Sequence, residues 1–340
     1  MTTIQTINGP VDFSYTAQDL TMAIDVLPNL YGRLNQENLF PSEGVSTTLV
    51  EVRFRNGYIT VLPVRDRDGA PSVGKGPDEN AVYLEVPHIP HLDYLTPKDL
   101  QDMFAFTANP LRKKTMEDAM TEKLQAIRNK HAITLEYFRM GALKGLIKDG
   151  EGSILHDLFE RFGIVKKTVD FELDNVATDV KAKCREVRRY QSKNLKGEIK
   201  SGTRVKVDPE FFDSLTGHPN VEKFFVNYVE ARSLAVDDVT EFPFGGLIFE
   251  EYDATVSLMD GTTDDLVAEG YGHAYPTGTM NAFRTFNGPA NNINMVNMPG
   301  AEIYVSPKEL DHGAGVELKS ESNPLPVVSR PDLLVECVQY

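Results

Sequence analysis

Residues 109–147 read NPLRKKTMEDAMTEKLQAIRNKHAITLEYFRMGALKGLI, and this stretch decides the fold. Met116, Met120, Leu124, Ile127, His131, Leu135, Phe138, Ala142 and Leu146 recur at steps of three or four, so they form one apolar stripe on a helix. Asn109 is a good N-cap, and Pro110 suits the first helical position, where its missing N–H costs nothing. The stripe predicts a single helix of roughly 55 Å at 1.5 Å per residue, against about 11 to 12 residues for an ordinary packed helix. A coiled coil is the generic alternative. Strand signals on either side favour a long helix laid across a sheet.

Upstream, Val50, Val52 and Phe54 alternate with Glu51, Arg53 and Arg55, and Asn56-Gly57 leads into Tyr58–Leu62. Asn-Gly between alternating runs favours a type I′ hairpin turn, whose twist matches the flanking strands. The chain then becomes polar and rich in Gly and Pro up to Asp78, and resumes as extended chain over Val82–Leu92, where Pro87 and Pro90 restrict it to an edge or a free limb. Two extended limbs with a polar tip between them make a projecting loop, and ordering such a loop requires contacts from elsewhere. Residues 1–45 scatter their apolar positions among Asn, Thr, Pro and Gly, and read as an arm lying along something else.

Downstream of Gly150-Glu151-Gly152 the pattern mixes: a strand from Lys166 to Leu173, a helix from about Val176 to Asn194, and a strand Arg204–Val207. Asp208-Pro209 is an N-cap and first-position pair for a further helix, which Gly217-His218-Pro219 ends. Leu247–Phe249, Ala254–Leu258 and the closing Leu333–Val338 read as strands. The class is α+β, with no internal repeat.

The 340 residues are 41% hydrophobic and 25% charged, an ordinary globular composition. No run reaches the roughly 18 to 20 apolar residues of a membrane span, and the first residues lack the basic and apolar regions of a signal peptide. Cys184 and Cys337 are too far apart in sequence for a metal-ligand spacing, and are expected as reduced thiols. The net charge is −15, and Asp208–Glu269 alone holds fifteen acids against Lys223 and Arg232. Such a surface repels a phosphate backbone. The basic run Lys181, Lys183, Arg185, Arg188, Arg189, Lys193, Lys196 and Lys200 has only Tyr190 as an aromatic, so a solvated face or subunit contact is favoured over nucleic-acid binding.

Chemistry finds little purchase. His88-Ile89-Pro90-His91 approaches a metal motif, but its prolines forbid a helical pair and no Cys or carboxylate run completes it. His131 lies in the apolar stripe and reads as a packing histidine. Asp260, Asp264 and Asp265 lack the ligand order of a calcium loop. Glu250 and Glu251 are adjacent on a strand and point to opposite faces. Phosphate-binding, dinucleotide-binding, nucleophile-elbow and zinc-protease motifs are missing. The expectation is no catalytic, cofactor-binding or metal-binding residue, and no cofactor.

Within the long-helix stretch, Ile133-Thr134-Leu135-Glu136-Tyr137-Phe138-Arg139-Met140-Gly141-Ala142 resembles the lambda-type major capsid proteins of tailed bacteriophages, the phage capsid protein E family. Similar pieces lie in order along the chain: Leu27-Pro28-Asn29-Leu30-Tyr31 with Leu39-Phe40-Pro41, Pro209–Pro219, Gly245–Tyr252, Gly272–Pro276, Asn287–Ala290, Ser322–Leu325 and Arg330–Val335. The likeness spans nearly the whole chain, and details such as Met295–Met298 mark a divergent member.

The resemblance implies an HK-ninety-seven-like capsid fold. Residues 1–45 become the N-terminal arm and 46–98 the hairpin and extended loop. Residues 99–204 become a peripheral domain with a spine helix at about 110–147. Residues 205–300 become the axial domain, and 301–340 strands returning to the peripheral sheet. It further implies a major capsid protein that self-assembles into pentamers and hexamers of an icosahedral shell around double-stranded DNA. Expected partners are other copies, scaffold protein and portal, with room for a decoration protein. The DNA is enclosed without sequence-specific binding, and no membrane is involved. The location is the virion, assembled in the host bacterial cytoplasm. A nanocompartment shell of the same fold is the alternative, and a metal-dependent hydrolase a more distant one.

Overall fold

The computed structural model describes residues 3–6, 9–12, 16–29, 31–56, 78–101, 116–196, 198–232, 239–293 and 298–340. The chain opens with β1 (Thr3–Thr6), β2 (Gly9–Asp12), α1 (Ala17–Val26), α2 (Arg33–Gln36) and β3 (Ser42–Gly44). Then come β4 (Leu49–Asn56), β5 (Asp78–Glu85), β6 (Ile89–Leu95), α3 (Pro97–Gln101) and the long α4 (Met116–Lys144). β7 (Leu146–Lys148), β8 (Ile154–Asp157), α5 (Leu158–Phe162), β9 (Lys167–Asp170), α6 (Val180–Leu195) and β10 (Gly202–Val207) follow. Next are α7 (Pro209–Gly217), α8 (Glu222–Arg232), β11 (Glu241–Phe244), β12 (Leu247–Glu251), β13 (Thr255–Ser257) and β14 (Thr263–Asp265). The last strands are β15 (Tyr271–Thr277), β16 (Phe283–Asn287), β17 (Tyr304–Glu309), β18 (Val316–Ser322), β19 (Pro324–Val328) and β20 (Val335–Val338).

These elements divide into two compact units. One comprises Met1–Val50, Glu85–Glu136 and Thr285–Pro326; the other comprises Glu51–Leu84, Tyr137–Arg284 and Val327–Tyr340.

In the first unit, β17, β18 and β6 form an antiparallel sheet in that order. Leu95, Val305, Val316 and Leu318 pack with Met120, Leu124 and Ile127 of α4 and with Leu20 and Ile24 of α1. The apolar stripe of α4 therefore lies on a sheet, each buried side chain contributing roughly 1.5 to 3 kcal/mol. Pro90 sits on the edge strand β6 opposite Glu321, a place where its missing N–H breaks no ladder. The opening segment is more ordered than its weak periodicity suggested. Thr16 and Asp19 form a capping box at the start of α1: Asp19 N–H donates to Thr16 Oγ1 (3.2 Å) and Thr16 N–H to Asp19 Oδ2 (2.9 Å). Burial of Leu20 and Ile24 then fixes α1 in this unit's own core.

In the second unit, the largest sheet among the described residues has six strands in the order β11-β12-β10-β15-β20-β9. β10 runs parallel to β12, and β20 parallel to β9; the other pairs are antiparallel. One sheet face is apolar: Val205, Val207, Phe249, Ala274, Val335 and Cys337 share a core with Val180, Cys184 and Val187 of α6 and Phe211, Phe212 and Leu215 of α7. Phe171 meets the rings of Phe211 and Phe249 edge-on at 5.5 and 6.0 Å, the geometry aromatic quadrupoles favour.

Several boundaries differ from the sequence reading. α4 ends at Lys144, not near 147, because Gly145 takes φ +80 and a Cβ there would run into the Phe159 ring. Leu146, the last residue of the expected stripe, belongs to β7. The Asn109 cap and the Tyr58–Leu62 limb lie outside the described residues. α6 starts at Val180, capped by Asp179, whose Oδ1 accepts from Ala182 N–H at 3.0 Å. The compact units change over after Val50, Leu84, Glu136, Arg284 and Pro326. Of the last strands, β17 and β18 belong to the first unit, while β20 inserts between β15 and β9 in the second. Register sets this, with Gly272 opposite Cys337 and Val169 opposite Cys337, prolonged by Phe171 N–H to Val338 O (2.9 Å).

Candidate assembly surfaces

The first unit combines an anchored N-terminal segment with an open sheet edge. Glu136 on α4 accepts the Leu34 N–H through Oε1 at 2.8 Å, holding the start of α2. Gly32 precedes it at φ +100, and a Cβ at that position would lie 2.7 Å from Glu136 Oε2. A larger residue there would push the carboxylate off the Leu34 amide. β6 turns Leu92 and Tyr94 outward, 50% and 43% exposed, beside a backbone edge without a further strand among the described residues. An exposed apolar edge is a template for association unless another chain covers it.

The second unit carries charge on the sheet face opposite its apolar core. Lys206, fully buried, holds Glu250 Oε2 at 2.8 Å, its register partner across the β10–β12 pair. Arg204 bridges Glu250 (2.9 Å) and Glu241 (2.7 Å). On the same face His273 stands opposite Glu336, which Lys166 pairs. A cavity of about 390 Å³ opens there, lined among others by Tyr137, Lys144, Lys166, Asp264, His273 and Glu336. Burial, reinforced by the Lys144 and Lys166 charges, drives His273 down to about 3. Burial and the hydrogen bond donated to Asp264 Oδ2 (3.0 Å) raise the Tyr137 hydroxyl to about 12. Both groups therefore stay neutral over the physiological range, while burial lowers the Lys144 ammonium beside them.

The acidic and basic stretches of the sequence fall at different places on this unit. Asp208, Glu210, Asp253, Asp265 and Glu269 line one groove of about 270 Å³. The basic run lies largely on α6, where Lys181, Arg185, Arg189 and Lys193 follow one another at steps of four. Some of the run is spoken for: Lys183 pairs with Glu172 (2.6 Å) and Arg185 with Asp179 (3.2 Å). Lys200 donates to Gln191 and Thr203, both at 2.9 Å, and burial lowers its ammonium to about 8.

The residues singled out for possible chemistry do not converge. His88 Nδ1 lies 2.8 Å from Asn323 Oδ1, and His91 Nε2 lies 2.9 Å from Lys130 Nζ. His131 is a satisfied packing histidine, its two ring nitrogens 2.8 and 3.1 Å from the Ser322 and Ser320 hydroxyls. Burial, with help from His91, brings it down to about 4. Asp260 caps its own turn through Thr262, at 2.9 Å to the amide and 2.6 Å to the hydroxyl, while Asp264 is taken by Tyr137. Glu250 is buried and paired; its neighbour Glu251 is half-buried, as opposite faces require. Cys184 and Cys337 are free and buried, and burial raises Cys184 to about 12. Among the described residues, His, Cys, Asp and Glu nowhere gather in threes able to hold a metal. No described helix is long and apolar enough to cross a membrane.

Two features escaped the sequence reading. The capping box Thr16-x-x-Asp19 announces α1 by a known signal. Gly245-Gly246, at φ +60 and +85, makes the two-residue turn between β11 and β12, with Phe244 opposite Leu247. A Cβ on Gly245 would meet Cys184 Cβ at 2.5 Å, so α6 packs directly on that turn.

Both units pair a sheet with packed helices, and known structures share the fold. A crystallised prophage protein of E. coli CFT073 superposes with a TM-score of 0.62 at 12% identity, covering 96% of this chain and 99% of that one. The capsid of an empty GTA particle gives 0.51 at 11% identity over 92% of each chain. The fold is therefore capsid-like α+β. The profile of phage major capsid protein E matches residues 16–339, and the chain belongs to that family. It is 29% identical to the major capsid protein of Salmonella phage Felix O1 (isolate Felix O1-VT1), over 94% of each chain. With the major capsid protein of Pseudomonas phage KPP10 it shares 28% over 96% of each.

Proposed function

We infer that this protein is the self-assembling major capsid protein of a phage head, a non-enzymatic building block of an icosahedral shell. The observation that carries this is the family match along residues 16–339, on a fold whose polar groups are spent on structure. The curated relatives are named as major capsid proteins over nearly their whole length, which favours a phage head over a cargo-holding nanocompartment.

Within the shell we assign finer roles. α4 acts as a spine helix, and the sheet it crosses belongs to a peripheral domain. The six-stranded unit is the axial domain, which therefore takes in β9, α6 and β20 as well as residues 202–284. β4 and β5 are the limbs of an extended loop reaching a neighbouring copy, and the first residues form an arm. Pentamers and hexamers close through axial domains, and peripheral domains, arms and loops join them into closed symmetry. Scaffold protein and portal guide assembly in the bacterial cytoplasm, and DNA is enclosed without base reading. A decoration protein is compatible with these surfaces.

The test is expression in bacteria with and without the neighbouring scaffold gene, followed by size-exclusion chromatography and negative-stain microscopy. Shells, rings or tubes are expected. A monomer under both conditions would remove the assembly reading.

A further inference from the structure

The six-stranded unit is electrically bipolar along its strands. The acidic groove sits where β10 and β12 end and β15 is about to begin: Asp208 follows β10, Asp253 follows β12, and Asp265 and Glu269 precede β15. Glu210 and Glu269 stand close enough to hydrogen-bond carboxyl to carboxyl, an arrangement of like groups that a facing cation would relieve. The basic ridge leans toward the other end of the same strands. Arg188 Nη1 donates to Gly245 O (3.4 Å) in the turn that opens β12, and Gln191 Oε1 accepts from Thr203 Oγ1 (2.7 Å) at the start of β10. Arg189 and Lys193 flank these anchors on the exposed side of α6, without a carboxylate partner among the described residues.

A ring of copies related by five- or six-fold rotation needs a heterologous contact, in which one patch meets a different patch on the next copy. We propose that the α6 ridge of one copy, centred on Arg189 and Lys193, docks against the Asp253–Glu269 groove of a second copy, orienting neighbours head to tail around a capsomer. This rests on the capsid reading and adds to it the surfaces that make the ring contact. The charges supply orientation and encounter rate; apolar contact beside them supplies most of the affinity, because exposed ion pairs are individually weak. A metal ion is a poorer occupant of the groove, since its carboxylates do not gather around one point among the described residues. Double-stranded DNA, which exposed cations bind through its phosphates, is the competing occupant of the ridge and is separated by the test below.

Charge reversal tests this in the full chain co-expressed with its scaffold. Arg189→Glu with Lys193→Glu, and separately Asp253→Lys with Glu269→Lys, should each lower the yield of shells about tenfold or more, because like charges then face each other at every ring contact. Circular dichroism and melting of the soluble fraction should stay unchanged. The four substitutions combined should restore shells toward the parent yield, because the complementary charges have exchanged places. Neutral versions, Arg189→Gln and Lys193→Gln, guard against a folding defect and should show a smaller loss in the same direction. Normal shells from either reversed pair, or no rescue in the combination, would overturn the proposal. So would ridge variants that assemble normally but retain less DNA, which would make the ridge a DNA-facing surface. If the parent chain itself makes no shells, the capsid reading fails; if the parent assembles and the variants are tolerated, only this inference fails.

Discussion

The two faces of the six-stranded sheet use the same strands to opposite ends. β10 turns Val205 and Val207 toward α6 and α7, and Arg204 and Lys206 the other way. On the first face, burial is non-directional, and many apolar side chains of suitable volume would fill it. On the second, Lys206 and Glu250 are correct only in one register, because slipping β12 by one residue sends Glu250 into the apolar core. Buried ion pairs add little net stability once desolvation is counted. Their value here is a single alignment of β10 with β12.

Substitutions can break that contrast. Phe249→Ala on the apolar face should cost roughly 3 to 5 kcal/mol by opening a cavity. Glu250→Leu should cost a similar amount, about 3 to 5 kcal/mol, by stripping a partner from buried Lys206. The faces separate on rescue: adding Lys206→Met to Glu250→Leu should recover most of the loss. Thermal unfolding of shells at fixed protein concentration reads this out, and a double variant as weak as the single one would make the charges stabilising in their own right.

Acid provides a graded effect, smaller at each step of pH. His131 and His273 are held neutral by burial, at about 4 and about 3 against an ordinary 6.5. The unfolded chain binds their protons first as pH falls, so their contribution is intact above pH 6.5 and is lost progressively toward pH 4 and 3. Within that window each costs about 1.4 kcal/mol per pH unit. Melting temperature measured at stepped pH should fall below 6.5, and His273→Gln should flatten the slope; an unchanged slope would mean that His273 is already protonated in the fold. Smallest of all, Glu186→Ala removes a largely exposed pair with Lys167 (2.7 Å) and should shift stability by less than about 1 kcal/mol.

The apolar half of this molecule was legible in its sequence. The α4 stripe, the Asp208-Pro209 start of α7 and the β12 strand all announce themselves through period or capping chemistry. Asp208 does what its position implies, accepting from Glu210 and Phe211 amides at 3.1 and 3.2 Å. Less legible was the far end of α4, where Glu136 to Leu143 are buried all round and no single stripe survives. Nor does periodicity reveal that β20 pairs with β15 and β9, since strand neighbours far apart in sequence leave no local trace. Lys206 reads as a solvent-facing residue of an alternating strand; only its partner on β12 explains its burial.

A cryo-electron microscopy map of shells assembled from this chain and its scaffold is the most direct test of the central claim. Pentamers and hexamers are expected, with the six-stranded unit surrounding each rotation axis. A shell in which the six-stranded unit lies away from the axes, or particles without local five- and six-fold rings, would contradict it.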